Sequence, residues 1–134
     1  DGTLMASVPG GGHWGGGIII NSLDHARVGH LVLNNGTWNG YSLLSKAWID
    51  ALRSPCSLNP NYSLLWWLNS NGKQCGRAPQ TCFFAAGGGG HIVWIDPENE
   101  LVIVTRWVDK EKIGDIVGAF TAAVKSSSCA GSPE

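Results

Sequence analysis

Two runs of glycine carry most of the chemistry this sequence can offer. Gly87-Gly88-Gly89-Gly90-His91 stands at the mouth of a strand-like segment. Residues without side chains there let a substrate lie along a sheet edge and leave backbone N–H groups free to donate to it. A bulge or bend needs one glycine rather than four, which favours a functional reading. The second run is Pro9-Gly10-Gly11-Gly12-His13-Trp14-Gly15-Gly16-Gly17. Its His13 and Trp14 either wall the same pocket or belong to a packed loop. Ser70-Asn71-Gly72-Lys73 fits the letters Ser-x-x-Lys, in which one helical turn brings a lysine amine onto a serine hydroxyl. Asn-Gly directs a turn between strands instead, and an exposed tip neither desolvates the lysine nor holds the pair together. No Gly-x-Ser-x-Gly elbow occurs.

Metal chemistry is not expected. Of the four histidines, His25 and His30 stand five apart, so on a helix they diverge by about 140°. Asp24 and Asp50 lie in different elements, where capping or surface roles explain them. None of the four cysteines, Cys56, Cys75, Cys82 and Cys129, forms a Cys-x-x-Cys pair, which disfavours a zinc ribbon or a thioredoxin-type site. They are either buried thiols or one or two disulfides of an exported protein, with the short loop from Cys75 to Cys82 the easiest to close. A secreted or periplasmic location is the expectation, and no cofactor is implied.

The elements that position these residues follow from periodicity. With 134 residues, 43% hydrophobic and 14% charged, residues 1–134 read as one folded domain. Nine basic against ten acidic residues leave no stripe for nucleic acid, and no apolar run approaches the roughly 20 residues of a membrane span. Asn21-Ser22-Leu23-Asp24 opens a helix that runs to Asn34, with Leu23, Ala26, His30 and Leu33 on one stripe and Val28, Leu31 and Val32 widening it. Thr37-Trp38-Asn39-Gly40 is a turn, and Ser45 caps a second helix through Leu52. Strands follow at Tyr62 to Asn69 and Phe83 to Ala86. His91 to Ile95 and Leu101 to Trp107 form a hairpin around Asp96-Pro97-Glu98-Asn99. From Asp109, the spacing of Ile113, Ile116, Val117, Phe120 and Val124 predicts a helix lying on the sheet, and 126–134 reads as a flexible tail. The layout is α+β, with helices first, then an antiparallel sheet of about three strands covered by a C-terminal helix.

In this order the residues resemble a known family. Val8 to Gly17, Asp24-x-x-Arg27-x-Gly29, Leu33-Asn34-Asn35-Gly36-Thr37-Trp38-Asn39-Gly40 and Leu44-Ser45-x-x-Trp48 are similar to the β-lactamase-related serine hydrolases, the class C β-lactamase-like esterases, amidases and peptidases. Gly87 to Trp107 resembles that family's third-motif strand and the hairpin after it, and the likeness extends from about Val8 to Val124. The resemblance implies a partial serine β-lactamase-like fold and the C-terminal part of a larger enzyme. The family's serine and lysine lie on a Ser-x-x-Lys helix upstream, and its Tyr-x-Asn element also precedes this region. Tyr41-Ser42-Leu43 and Tyr62-Ser63-Leu64 lack the Asn. By the same likeness the Gly90 amide is the catalytic element, one half of an oxyanion hole whose other half is the absent serine's own amide. Gly87, Gly88 and Gly89 occupy the third motif, and His91 lines the acyl pocket or is a surface histidine at a strand edge. Gly87 stands where the family places a cation, which favours small-molecule esters or amides without a carboxylate. Two of the family's sheet strands come from the enzyme's start and three from its end, so an open sheet edge and an uncovered apolar face are expected here.

A rival reading is a secreted binding module without catalysis. In it Trp14, Trp38, Trp66 and Trp94, four of the seven tryptophans, stack on sugar rings or another apolar ligand. A third is a catalytically dead relative that serves as a scaffold.

Overall fold

The computed structural model describes residues 6–8 and 17–129. Strands β1 (Ala6–Val8) and β2 (Gly17–Ile19) form an antiparallel pair. The stretch between them, with His13 and Trp14, lies outside the described residues. Helix α1 (Ser22–Leu33) begins where Asn21 accepts a hydrogen bond from the Asp24 amide, and Arg27 pairs with Asp24 one turn on. Strands β3 (Thr37–Trp38) and β4 (Tyr41–Ser42) close around Asn39 and Gly40, both with positive φ, as the tightest hairpin turns require. Helix α2 (Lys46–Leu52) starts at the Ser45 cap.

The main sheet has the order β5-β6-β7-β8 and is antiparallel throughout. Strands β6 (Phe83–Gly87), β7 (His91–Asp96) and β8 (Leu101–Thr105) form its body. Strand β5 (Trp67–Leu68) is a two-residue edge piece. The longer strand expected from Tyr62 to Asn69 is broken, because the chain folds back at Leu64 and Leu65. Leu65 takes φ +65°, and the Ser63 amide donates to the Trp66 carbonyl. The β7–β8 hairpin is closed by Asp96, which is fully buried and accepts from the Glu98 and Asn99 amides.

Helices lie on both faces of the sheet, so the expected uncovered face is not found among the described residues. On one side Val93 and Ile95 pack with Val32 of α1, Ile49 and Leu52 of α2, and Phe83. On the other, Ile92, Trp94, Phe84 and Ile103 pack with Val117 of helix α3 (Ile113–Cys129). Ile92-Val93-Trp94-Ile95 is continuously apolar for this reason, since a strand buried on both faces has no solvent side to alternate with. The other expectation, an open edge, fits β8, whose outer side carries no strand among the described residues.

Two helical stripes differ from the spacing argument. In α1 the sheet-facing positions are Gly29 and Val32, whereas Leu23, Val28 and His30 are exposed. A Cβ on Gly29 would stand 2.6 Å from Val102 and 2.8 Å from Val93, so the missing side chain brings α1 onto the sheet. In α3 the buried place expected for Phe120 belongs to Thr121, which sits 1% exposed and donates to the Val117 carbonyl, while Phe120 is half exposed. The helix also runs through Ser126 to Cys129, into the expected tail; Ser126 and Ser127 donate back to the Ala123 carbonyl. No helix among the described residues is long and apolar enough to cross a membrane.

The segment between β5 and β6 is organised by Asn69, which is fully buried. Its amide nitrogen donates to the carbonyls of Cys75 (3.0 Å) and Pro79 (2.9 Å), and its oxygen accepts from the amides of Gln74 (3.0 Å) and Cys75 (2.9 Å). Asn69→Asp keeps the shape but puts an acceptor where two carbonyls need a donor. We expect a loss of about 3 kcal/mol or more, read from urea unfolding with circular dichroism.

Candidate functional site

Gly87 pairs with His91 across the β6–β7 hairpin, so Gly88, Gly89 and Gly90 form its tip. Two of these glycines are required by backbone geometry. Gly89 has φ +79°, and a Cβ there would meet the Trp107 ring at 3.0 Å. Gly90 has φ +71°, and a Cβ would fall 1.8 Å from the Val108 carbonyl oxygen. The other two are not explained this way. Gly88 has nothing within 4 Å of its Cβ position, Gly87 has only ordinary contacts, and neither takes a left-handed φ. Gly87 to Gly89 are exposed, whereas Gly90 is buried and its carbonyl accepts a long hydrogen bond, 3.4 Å, from the Thr105 hydroxyl.

Strand β5 covers β6 only at Phe83 and Phe84. Beyond them the outer edge from Ala85 to Gly87 has no strand beside it among the described residues, so main-chain groups there are available to a ligand. A cavity of about 230 Å³ adjoins this edge, between the sheet and the start of α3. Phe84, Trp94, Trp67 and Ile92 wall it, Gly87 and Gly90 border it, and Lys110 and Gln74 are its charged and amide groups. Phe84 and Trp94 stack with centroids 5.0 Å apart.

His91 packs edge-on against Trp107 at 4.5 Å and does not line this cavity. On the α1 side His25 titrates below its ordinary value, first because burial disfavours its charged form and then because Arg106 and His91 lie nearby. Burial, reinforced by the Asp96 carboxylate, raises the Cys82 thiol far above its ordinary value and makes it a poor nucleophile. Cys56, Cys75 and Cys82 are free thiols, so the short Cys75–Cys82 loop is not closed by a disulfide.

The Ser70 hydroxyl and the Lys73 amine are not hydrogen-bonded to each other; the two residues meet only through the Lys73 backbone N–H, which donates to the Ser70 carbonyl at 3.4 Å. They lie on a short 3-10 turn in which Asn71 and Gly72 have positive φ, so the Asn-Gly signal opens a loop rather than a catalytic helix. Among the described residues no serine hydroxyl bonds a lysine, histidine or tyrosine, and no cluster of His, Cys, Asp and Glu side chains can hold a metal. Among the described residues the four tryptophans of the rival reading do not form a shared exposed platform, and Trp38 packs edge-on with His30 at 5.6 Å. Trp94 is 1% exposed, Trp66 packs on Phe83, and Trp14 lies outside the described residues. The cavity residues Trp67, Gln74 and Lys110 were missed by sequence reasoning, because they come from three separated segments with no shared motif.

Comparison with known proteins finds hydrolases among the chains similar to this one. A 6-aminohexanoate-dimer hydrolase of Paenarthrobacter ureafaciens is 26% identical over 126 residues, covering 83% of this chain and 30% of the relative. A solved structure of a Bacillus anthracis protein, described as a 6-aminohexanoate-dimer hydrolase, superposes with a TM-score of 0.62 at 24% identity. The fold is shared with that hydrolase. The match covers 84% of this chain and 31% of that one, so the chain spans about a third of the length of these relatives. No family model matches the chain.

Two outcomes follow from the tip and from His25. Gly90→Ala should cost more than about 3 kcal/mol of stability in urea unfolding, while Gly88→Ala changes it by less than about 0.5 kcal/mol. Because the folded state keeps His25 neutral, the unfolded chain takes up the extra proton as pH falls through about 6.5, and stability drops with it. His25→Gln should remove that part of the pH dependence of the urea midpoint.

Proposed function

We propose that this chain is the C-terminal part of a serine hydrolase of the β-lactamase-related type, acting by acyl transfer on an amide or ester. The observation that carries this reading is Gly87, at the end of a strand edge open on its outer side and bordering a cavity, followed by Gly88 at the exposed hairpin tip, neither of them demanded by a backbone constraint. A tetrahedral intermediate needs donors aimed at its oxyanion and room for the acyl group, and this edge offers both. Gly90, buried as a residue but bordering the cavity, and the exposed Gly88 are the two candidate donors of this tip. The likeness to hydrolases named for a 6-aminohexanoate dimer favours amides over esters.

The nucleophile and its base come from an N-terminal part of the enzyme carrying a Ser-x-x-Lys helix. The lack of any activated serine among the described residues supports this division, and so does the open edge of β8. A fluorophosphonate probe tests the reading, since it labels only an activated serine. The full-length enzyme should label at an upstream serine and the present chain should not. Labelling of the present chain that is abolished by Ser70→Ala would overturn the assignment, as would a full-length protein that never labels.

A further inference from the structure

We infer that a groove at the far end of the sheet from the glycine tip binds a neutral saccharide, held by the guanidinium of Arg53 and the carboxylate of Glu100. The groove has a volume of about 670 Å³ and lies among the end of α1, the residue after α2 and the β7–β8 turn. Asn34, Asn35, Thr37, Arg53 and Glu100 supply its polar groups, and Leu33 and Pro97 its apolar ones. His30, Leu33 and Glu100 continue into an adjoining hollow bordered by Trp38, whose ring meets that of His30 edge-on. Of the four tryptophans in the rival reading, Trp38 alone takes part. Strand β7 spans six residues between the tip and this turn, about 17 Å. The site is therefore separate from the proposed acyl-transfer edge and does not depend on that reading.

The polar groups of the groove lack partners of their own. Arg53 lies with its guanidinium carbon 5.1 Å from the Phe83 ring centre, its Nε is buried without a hydrogen bond, and no carboxylate pairs with it among the described residues. A buried N–H of that kind calls for an acceptor from outside. Glu100 is exposed, and neither it nor the Asn35 side chain has a hydrogen bond or ion pair among the described residues. Asn34 donates through Nδ2 to His30 Nε2 at 2.7 Å, which leaves its oxygen to accept. Arg53 can only donate, an ionised Glu100 can only accept, and the asparagines do both. Adjacent sugar hydroxyls donate and accept at once and so meet all of them. An anion would satisfy Arg53 and be repelled by Glu100, and a cation would do the reverse. A zwitterion would engage the two charges and leave the asparagine amides and the Thr37 hydroxyl unused. Leu33, Pro97 and the hollow beside Trp38 suit the C–H face of a sugar ring. The stretch Asn34-Asn35-Gly36-Thr37-Trp38, which the acyl-transfer reading leaves without a role, supplies four of these residues.

The test is a titration of the 134-residue chain with glucose, maltose and cellobiose, followed by the side-chain amide signals of Asn34 and Asn35 and the indole N–H of Trp38 in proton–nitrogen NMR spectra. At least one saccharide should shift these signals saturably with a millimolar Kd, while the Gly88 amide signal stays in place. Asn35 and Glu100 take φ +53° and +50°, so glycine keeps the backbone there and removes only the side chain. Asn35→Gly and Glu100→Gly should each weaken the saccharide by about threefold to tenfold, the range of a single net hydrogen bond, with little change in the urea midpoint. Arg53→Gln should weaken it by about tenfold or more, since its bonds are charge-assisted. No saturable shift with any of the three saccharides, or tighter binding of dialanine or sodium sulfate than of the sugars, would overturn the proposal. Shifts at Gly88 instead of at Asn34 and Asn35, or unchanged affinity in both glycine variants, would do so equally.

Discussion

A buried side-chain amide has to satisfy both its own polar atoms and those of the chain around it, and Asn69 does so for backbone groups of Gln74, Cys75 and Pro79 in the connection between β5 and β6. That connection has no regular strand to pair its backbone, yet it passes through the interior, where Cys75 and Ala78 pack in the same cluster as Trp94 and Val117. Cys75 is buried and Gln74 and Pro79 are half-buried, so hydrogen bonds to protein replace much of what water would supply. Asn is suited to the task because one group donates and accepts at once, at a length that reaches from Pro79 on one side to Gln74 on the other. The Cys75 sulfur in turn lies 3.4 Å from the Gly114 carbonyl, so the same network reaches α3. Gln74 and the start of α3 are both walls of the cavity, whose shape therefore depends on an interaction that contributes no surface to it.

The glycines separate into two kinds once steric demand is assigned position by position. Gly89 and Gly90 take left-handed backbones against Trp107 and Val108, and Gly29 admits α1 to the sheet. These are structural in the ordinary sense that a side chain would collide. Gly87 and Gly88 tolerate a Cβ, so composition alone cannot account for them. A short unencumbered edge is what a backbone needs if another molecule is to approach its amides. Gly87 and Gly88 are thus the two tip glycines for which backbone geometry provides no reason.

Much of the architecture was legible in the sequence. Caps at Asn21 and Ser45, the Asn39-Gly40 turn and the Asp96-Pro97 hairpin were signalled by local chemistry that tertiary contacts did not override. The failures have a common physical origin. The buried stripe of α1 turns on Gly29, which adds no apolar area to any periodicity count, and that of α3 includes Thr121, whose hydroxyl is satisfied within its own helix. The strand expected from Tyr62 to Asn69 failed because apolar residues there cover the core from a chain reversal; Trp66 meets Phe83 edge-on at 5.2 Å. At the site, the glycine edge was visible as a motif. The cavity was not, because it forms only when the β5–β6 connection, two strands and a helix start come together.

The tip of the β6–β7 hairpin is not an isolated loop. Gly90 presses on the Val108 carbonyl, its own carbonyl accepts from Thr105, and His91 packs on Trp107, so the segment leaving β8 is tied to the tip at three successive places. Lys110 follows that segment by two residues, at the start of the 3-10 turn that leads into α3. The exposed amides and the cation of the cavity therefore belong to one mechanical unit, although they are distant in sequence. Movement of the tip would break the fit at Gly90, where the contact leaves no room even for a methyl group, and a rigid tip is what aimed backbone donors require. Preorganised dipoles stabilise developing charge only if they need not reorient as it forms. The dense contacts behind the glycines supply that rigidity, and Gly87 and Gly88 add no side chain that would screen the edge in front of them.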